Sequence, residues 1–569
     1  MKKKSFIKGL ILGASVLAFA GTASADVTLN IYGASAQFNY WHNMAISFLS
    51  ASMAAGGLGC TAPASNVVTC STAGTTLQYG GKAEVAYGTA CAALAGANCY
   101  IHYTAKASFD GPQALDNSWG QGTNHQGDNW CATVAEGGLG NGLGAYQRLF
   151  CQTNNTLACD TVYIGACDVD VSDFRQTSSG LPYGPWSVGG NPTSTTPITR
   201  AFSGFTALVP NMNPPVTPIA VPFAFYVNPG VTVRSCKATS PRAVANAVLG
   251  LPSPFCSDDQ QCGGATCTGG ANNGQTCWDN DECTSGACTT AAADVGDCPA
   301  AVAATGATNA TRNSTITNLS RLQVTALFSG SISNWQQFGL MYPNLPVTVC
   351  LRHAGSGTHA TLDLGVMHAS WGANILGIGD ENRADNDAGS YPYVYFNDGS
   401  GDMKNCLYWA DDALNDQAGH NLGFYDATAV SGAVGYIDAD TPETAHYLQV
   451  AYNGVTPNRV NIRDGLYDDF WSLQRVYTAS SGSGLPGVLG TGPESQTTVY
   501  NLMIAFMANG SNITQFGNKE GVVGVPAIAN WYTSSAELNF TKPAGNTFYP
   551  GYSGASGFDA DDNSLPYAP

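Results

Sequence analysis

The chain has 569 residues, with 22 Lys+Arg against 40 Asp+Glu, a formal net charge of −18 and only 11% charged residues. This acidic balance argues against nucleic-acid partners and against anionic membrane surfaces, because both would repel the protein. The negative net charge does not exclude a small anion as ligand, since a locally positive pocket can outweigh the negative field of the whole protein. The length fits two to four domain-sized units.

Residues 1–25 have the pattern of an export signal: four lysines precede an apolar run at 11–19, and small residues at 23–25 fit a cleavage site. The mature chain is expected to begin at Asp26. Without the four lysines it has 18 Lys+Arg against 40 Asp+Glu, a net charge of about −22. No cysteine precedes Cys60 and no later apolar run is long enough to span a bilayer, so no membrane anchor is expected.

The 18 cysteines are an even number in a chain with an export signal, which predicts disulfides and no reactive free thiol. Seven of them lie within 252–300 at a repeating spacing, and Cys236 is the expected eighth partner. The repeat is visible as three sets in register: Cys256/Cys277/Cys298, Cys262/Cys283 and Cys267/Cys288. These residues predict a small duplicated insert that is held by its bridges instead of by an apolar core.

Three acids of the insert, Asp258, Asp279 and Asp281, have side chains that suit calcium. The alternative is that they are solvated loop acids. Zinc is disfavoured because an oxidising compartment converts its thiolate ligands to disulfides.

The N-terminal half predicts strands that each lead into a polar turn. Residues 27–32 alternate as a strand, a glycine turn follows, and apolar residues over 38–49 repeat at helical spacing. The region 56–100 contains four cysteines and is predicted as a disulfide-tied loop, and 117–142 as a further loop. Short strands are expected at 100–103 and 161–164, ahead of Ser108 and Asp168 respectively.

A second strand–turn–helix pattern occurs at 345–369. An apolar strand at 345–351 leads to Arg352, a turn of Gly, Ser, Gly and Thr, and a helical pattern at 361–369. Unpaired N–H groups and the helix dipole favour an anion at such a turn, and an arginine offers a planar fork of donors to an oxyanion. An ordinary capped turn is the alternative interpretation of the glycine-containing part.

Four such turns therefore carry small or polar residues: near Phe38, near Ser108, at Asp168 and at 352–358. Ligands of open α/β sheets collect outside the carboxyl ends of the strands, so the turns together predict one pocket. Helical patterns follow near 466–476 and 499–507, and the segment after Thr541 is not assigned.

The order of these motifs resembles the phosphate-binding proteins of bacterial ABC transporters, which are type II periplasmic binding proteins. The resemblance rests on motifs that occur in the same order as in that family: 33–38 (Gly-Ala-Ser-Ala-Gln-Phe), Tyr103/Ser108/Gly111, 165–168 (Gly-Ala-Cys-Asp), 221–228, 327–335, 352–358 and 432–436 (Gly-Ala-Val-Gly-Tyr).

The resemblance implies an α/β protein with the two-lobed type II periplasmic-binding-protein fold and a disulfide-rich insert. Lobe one is expected at 26–218 and again at 450–569, and lobe two at 219–449, with the insert at 252–300. No cofactor and no metal are implied.

The resemblance also implies a set of ligand contacts. Four would come from lobe one (Gln37, Phe38, Ser108, Asp168) and four from lobe two (Arg352, Ser356, Gly357, Thr358). The sequence departs from the family pattern at three positions: Gln37 stands where threonine is usual, Ala354 where an aspartate restrains the arginine, and Cys167 where serine is usual. Arg352 should therefore be less restrained, and Cys167 is expected in a disulfide.

Asp168 bears most on the identity of the ligand. A carboxylate that faces an oxyanion repels it unless the anion carries a proton to donate, and a buried acceptor that faces a non-donor costs roughly 1–3 kcal/mol. Asp168 therefore favours phosphate or arsenate over sulfate. A purely structural turn acid is the alternative interpretation.

The resulting prediction is an exported solute-binding protein, periplasmic or extracellular, that binds phosphate for uptake with an ABC permease as a possible partner. A hydrolase reading would use His353, Ser356, His359 and Asp363, but Ser356 lacks the Gly-x-Ser-x-Gly context, and no enzyme is predicted. The alternative from a different class is a secreted structural, matrix or adhesion protein built on the same fold.

Overall fold

The structure is a computed structural model that describes residues 26–68, 82–115, 147–174, 177–182, 198–201, 211–251, 253–263, 265–277, 280–291, 295–298, 315–352, 355–367, 393–397, 399–411, 432–467, 469–513 and 531–539. The predicted export signal at 1–25, the predicted loop at 117–142 and the segment after Thr541 lie outside these ranges. None of the helices within the described ranges is long and apolar enough to cross a membrane.

Strands dominate the described residues. In chain order they are β1 (Val27–Ala34), β2 (Thr61–Val68), β3 (Lys82–Thr89), β4 (Cys99–Lys106), β5 (Gln147–Cys151), β6 (Leu157–Thr161), β7 (Ile164–Cys167), β8 (Thr177–Pro182), β9 (Ile198–Ala201), β10 (Ile219–Val227), β11 (Ala265–Thr268), β12 (Ala287–Thr290), β13 (Asn318–Leu319), β14 (Val347–Arg352), β15 (Tyr393–Asn397), β16 (Gly432–Asp438), β17 (Leu448–Tyr452), β18 (Trp471–Leu473), β19 (Arg475–Thr478) and β20 (Thr533–Ser534).

The α-helices are fewer and mostly short. They are α1 (Phe38–Ser50), α2 (Asp110–Leu115), α3 (Pro241–Val248), α4 (Arg321–Phe328), α5 (Gly357–Thr361), α6 (Ser400–Asp411), α7 (Arg459–Arg463), α8 (Gln496–Ala508) and α9 (Gly510–Ile513). A π-helical segment, Leu362–Val366, continues α5.

The first sheet has six strands in the order β19-β7-β1-β4-β3-β2. Its centre is parallel, because β1 pairs with both β4 and β7 in that sense, and β19 closes one edge antiparallel. Helix α1 covers this sheet with large buried side chains, Trp41 and Phe48 among them, and Phe48 meets Phe506 of α8 at 5.5 Å between ring centroids. Both chain ends therefore contribute to this lobe.

The second sheet is built on β13-β17-β10-β16-β14-β15-β8-β9. Its centre repeats the first sheet: β14 lies between β15 and β16 in parallel, and β10 joins β16 antiparallel. The two lobes thus have the same arrangement. In lobe one β1 lies between β4 and β7, with antiparallel β19 next to β7; in lobe two β14 lies between β15 and β16, with antiparallel β10 next to β16. The predicted α/β class with two lobes is confirmed.

The lobes are joined through β10, a nine-residue apolar strand that is buried throughout. Its first half pairs with β18 and β20, and its second half pairs with β16 and β17. Gln474 donates its backbone N–H to Ile219 just where β18 gives way to β19. The chain therefore passes between the lobes on neighbouring strands.

Several local predictions differ from the structure. The predicted loop at 56–100 contains β2 and β3, which extend the first sheet, while the predicted helical pattern at 466–476 contains β18 and the first two residues of β19. Residues 177–182 were assigned to lobe one, but they pair with β15 at the edge of the second sheet. Tertiary pairing overrides the local pattern in each case, because strand partners distant in sequence leave no periodic signal. The helix predicted at 499–507 is present as α8.

The insert consists of two small disulfide clusters. Four bridges close it: Cys236–Cys262, Cys256–Cys298, Cys267–Cys283 and Cys277–Cys288. Cys236 is therefore a partner of the insert, as predicted. Helix α3 belongs to the same unit, because its Ala243 is buried among the cysteines of the first cluster. Asp258 accepts a hydrogen bond from the Gln261 N–H and so caps a turn; Asp279 and the side chain of Asp281 lie outside the described residues.

Two bridges in the lobes are Cys60–Cys91 and Cys350–Cys406, and Cys151 and Cys159 are disulfide-bonded as well. Cys99 and Cys167 are buried free thiols, so the predictions of no free thiol and of a bridge at Cys167 are wrong. The register explains this, because Cys99 lies opposite Val27 while the residue before Cys167 lies opposite Gly33. Some seven strand residues, roughly 20 Å, separate them, whereas a disulfide needs Cα atoms within about 7 Å.

Candidate functional site

The predicted site residues lie at the carboxyl ends of the parallel strands of both sheets. In lobe one, Gln37 and Phe38 follow β1, Ser108 follows β4 and Asp168 follows β7. In lobe two, Arg352 ends β14 and the turn 356–358 comes next. The two edges face each other, because the Phe109 N–H of lobe one donates to the Gly355 carbonyl of lobe two at 3.0 Å. The structure therefore places the predicted residues on the two strand edges that meet where the lobes are in contact.

Glycine permits the close packing near the end of β1. Gly33 has φ +132°, and a Cβ built there would lie 2.1 Å from the Ala166 carbonyl oxygen of the neighbouring strand. Only glycine fits this conformation and this spacing. The end of β1 is thereby held close against β7, which Asp168 follows directly.

Asp168 is the centre of the lobe-one wall and is 1% exposed. Its Oδ2 accepts a 2.5 Å hydrogen bond from Ser108 Oγ, and its Oδ1 accepts one of 2.8 Å from Gln37 Nε2. Gln37 is fixed in turn, because its Oε1 accepts hydrogen bonds from Trp41 Nε1 at 3.0 Å and from the Gln474 side chain. The glutamine at this position thus orients the acid, a use that the sequence did not indicate.

Burial raises the pKa of Asp168 to about 6. The hydrogen bonds from Ser108 and Gln37 lower this pKa, Asp438 raises it and Arg352 lowers it, but desolvation is the largest effect. Asp438 and Arg352 belong to lobe two, so the acid lies within electrostatic reach of charged groups of the other lobe. A carboxyl group of this kind changes protonation within the range of mildly acidic to neutral pH.

Phe38 forms the apolar side of the lobe-one wall. Its ring lies 6.0 Å from the ring of Tyr103 and stacks on His42 at 6.5 Å between centroids. Tyr103 is anchored by a hydrogen bond from its hydroxyl to the Ala34 carbonyl. Phe38 itself is only 6% exposed, and its ring belongs to the same hydrophobic core cluster as Tyr103.

Arg352 supplies the positive charge of lobe two and is 2% exposed. Its Nη1 donates to Ser400 Oγ at 3.2 Å, and its backbone N–H donates to the Tyr436 hydroxyl at 2.9 Å. A buried guanidinium needs such partners because desolvation of an unpaired charge is costly. Ser400 starts α6, so the arginine is held by an element far from it in the sequence.

The turn 356–358 brings lobe two against the acid of lobe one. A Cβ built on Gly357 would lie 2.6 Å from both Ser108 Oγ and Asp168 Cβ, closer than any real Cβ contact. Ser356 and Thr358, which flank it, are 1% and 2% exposed. The site is therefore closed over by the second lobe in this structure.

The arrangement of Ser356 differs from that of a hydrolase nucleophile. Its Oγ accepts the backbone N–H of His359 at 3.3 Å and caps α5, while His359 Nδ1 lies 2.7 Å from the Tyr436 hydroxyl. Helix α5 and the π-helical segment Leu362–Val366 together span 357–366, so the helical structure begins four residues before the predicted start at 361; residues 368 and 369 lie outside the described ranges. Ser356 acts here as a helix cap.

Sequence reasoning missed the residues of lobe two that contact the arginine and its neighbours. Ser400 comes shortly after β15, and Asp438 is the last residue of β16. Tyr436 lies on β16 two residues before Asp438. Their positions at carboxyl ends of parallel strands are the signal that could have identified them. That signal needs the sheet order, which the sequence does not show.

No family model matches the chain, and no curated protein matches it. Solved structures that are similar include a putative phosphate ABC transporter substrate-binding protein with bound phosphate from Clostridium perfringens, at 18% identity and a TM-score of 0.22 over 37% of this chain. PstS from Borrelia burgdorferi is 14% identical with a TM-score of 0.23 over 37% of this chain. The chain covers 64% and 65% of those two proteins, slightly less than two thirds of each. A phosphate-binding protein from Stenotrophomonas maltophilia is 10% identical with a TM-score of 0.29, and the match covers 80% of this chain and 79% of that one.

Proposed function

We propose that the cleft binds a protonated oxyanion, with phosphate as the first candidate, and that the protein is an exported solute-binding protein that carries out no catalysis. One observation carries this proposal: the buried Arg352 of one lobe lies close enough to interact electrostatically with the buried Asp168 of the other, which accepts a hydrogen bond from Ser108. The cation attracts the anion, and the acid selects among anions.

The selection follows from the positions of the protons. Ser108 has one hydroxyl proton and donates it to Asp168, so both groups present acceptor lone pairs towards a ligand. An oxyanion that carries an O–H group satisfies these acceptors, whereas sulfate offers only further acceptors. Leaving a buried acceptor without a donor costs roughly 1–3 kcal/mol, and more when the group is charged. Hydrogen phosphate and hydrogen arsenate are therefore favoured over sulfate.

Export and uptake form the rest of the proposal. The bridges in both lobes and in the insert suit an oxidising compartment, and each is of the kind that persists outside the cytosol. The closed cleft between lobes joined by crossing strands is suited to trapping a solute. A permease that receives the solute is the partner we infer, in the periplasm or outside the cell.

The test is calorimetric titration of the purified protein with phosphate, arsenate and sulfate. Arg352→Ala removes a charge-assisted hydrogen bond and should weaken phosphate binding by roughly 1.5–3 kcal/mol, about ten- to a hundredfold. Arg463→Ala is the matched control, since it removes an arginine that pairs with Asp464 at the surface, and it should leave the affinity unchanged. Absence of phosphate binding in the wild-type protein would refute solute binding and favour the secreted structural alternative.

A further inference from the structure

The two lobes place the same pair of residue types at equivalent positions. In lobe one the turn after the second parallel strand, β4, carries Ser108, and Asp168 follows the third, β7. In lobe two the turn after the second parallel strand, β15, carries Ser400, and the third, β16, ends in Asp438. Because the strand order around β1 and β14 is the same, the two serine–aspartate pairs correspond.

The second pair lies beside the arginine of the proposed site. Ser400 Oγ accepts from Arg352 Nη1 at 3.2 Å and lies 3.4 Å from Asp438 Oδ1. All three side chains are buried, at 8%, 2% and 7% exposed for Ser400, Arg352 and Asp438. The serine therefore stands between a buried cation and a buried carboxylate.

The single proton of the Ser400 hydroxyl decides the direction of these contacts. Arg352 can only donate, so Ser400 accepts from the arginine, and the hydroxyl donates its one proton to Asp438 Oδ1. Its second lone pair is left for Ser35 of lobe one, whose Oγ lies 3.1 Å away. Ser35 is accordingly the donor in that pair, and the hydroxyl of Ser400 is satisfied on both lobes at once.

We propose that Ser400 is a positioning residue: its hydroxyl, oriented by Asp438, holds the Arg352 guanidinium in place for the oxyanion, and Ser35 completes the arrangement when the lobes meet. This inference rests on the proposed function, because it assigns a role in the binding of the same ligand. It predicts that the effect of Ser400 on affinity passes through the guanidinium and not through the stability of α6.

The experiment is a double-mutant cycle measured by calorimetric titration with inorganic phosphate. Ser400→Ala should weaken phosphate binding about five- to tenfold, the effect of one hydrogen bond that fixes a charged group. Arg352→Lys keeps the charge but loses the planar fork, so Ser400→Ala should cost less than about twofold in that background. Thermal unfolding without phosphate monitors stability. Ser240→Ala is the control, since it removes a buried serine that caps α3 in the same lobe, and it should leave the affinity unchanged.

The outcomes separate this inference from the proposed function. If the wild type fails to bind phosphate, the proposed function falls, and the inference with it. If the wild type binds but Ser400→Ala stays within about twofold, or if the loss is equally large in the Arg352→Lys background, only the role of Ser400 is overturned. A loss of phosphate affinity on Ser400→Ala that is seen with Arg352 present and disappears in the Arg352→Lys background supports the role of Ser400.

Discussion

Sulfate affinity that increases with acidity would test the role of Asp168 directly. Sulfate remains a dianion across mildly acidic and neutral pH, so a change in its binding reports the protein and not the ligand. The acid repels sulfate while it is ionised, but once protonated it donates a hydrogen bond to the same anion. Sulfate binding is therefore coupled to proton uptake by Asp168, and its affinity should rise as the pH falls.

The size of the effect follows from the pKa of about 6 that burial gives to Asp168. Such a group is about 3% protonated at pH 7.5 and about 90% protonated at pH 5, so sulfate affinity should rise by up to about thirtyfold between them. The rise should level off below pH 5, where protonation is nearly complete. The preference for phosphate over sulfate should narrow correspondingly on the acidic side.

The assay is calorimetric titration with sulfate at pH 5, 6 and 7.5 on the wild type and two variants. Asp168→Asn keeps the shape but has no proton to gain, so its sulfate affinity should be high and nearly independent of pH. Asp440→Asn is the matched control, because burial and the neighbouring Asp438 also raise the pKa of Asp440 to about 6. That variant should keep the wild-type pH dependence. Our account of selectivity would be refuted if the sulfate affinity of the wild type did not change with pH, or if that of Asp168→Asn rose equally as the pH falls.

Three further predictions concern closure, thiols and the insert. Gly357→Ala places a Cβ against Ser108 and Asp168 of lobe one and should weaken phosphate binding at least tenfold. Gly401→Ala is the control, because open space surrounds Gly401, and it should leave phosphate affinity unchanged. Equal phosphate affinities of the two variants would contradict the closed arrangement of the lobes. Thiol labelling without reductant should modify Cys99 and Cys167 in the denatured protein but not in the native protein, since both thiols are buried. Labelling of either cysteine in the native protein would contradict this prediction. Replacing residues 235–313 by a short Gly/Ser linker should preserve cooperative unfolding and phosphate affinity, because Thr232 and Thr315 on either side of this segment pair in a β-bridge. Non-cooperative unfolding of this variant would show that the insert is part of the core.

The sequence could predict elements whose signal is local. The alternating residues of β1, the helical spacing of α8 and the strand that ends at Arg352 each follow from the residues themselves, as does the cysteine-dense composition of the insert. The eight candidate site residues come from the family resemblance, which rests on motifs that each span only a few positions. Short motifs and that resemblance therefore sufficed to propose residues on both lobes, and their role in ligand binding stays a prediction.

The tertiary structure decided everything that depends on which strands become neighbours. An even cysteine count predicted complete pairing, yet Cys99 and Cys167 lie at opposite ends of the β1 register and cannot meet. The sequence likewise gave no reason to connect Ser400 with Arg352, because 48 residues separate them and only the order of β14, β15 and β16 brings the hydroxyl to the guanidinium. Composition and periodicity act over a few residues, whereas strand order, burial and the pKa of Asp168 arise only once distant segments exclude water together.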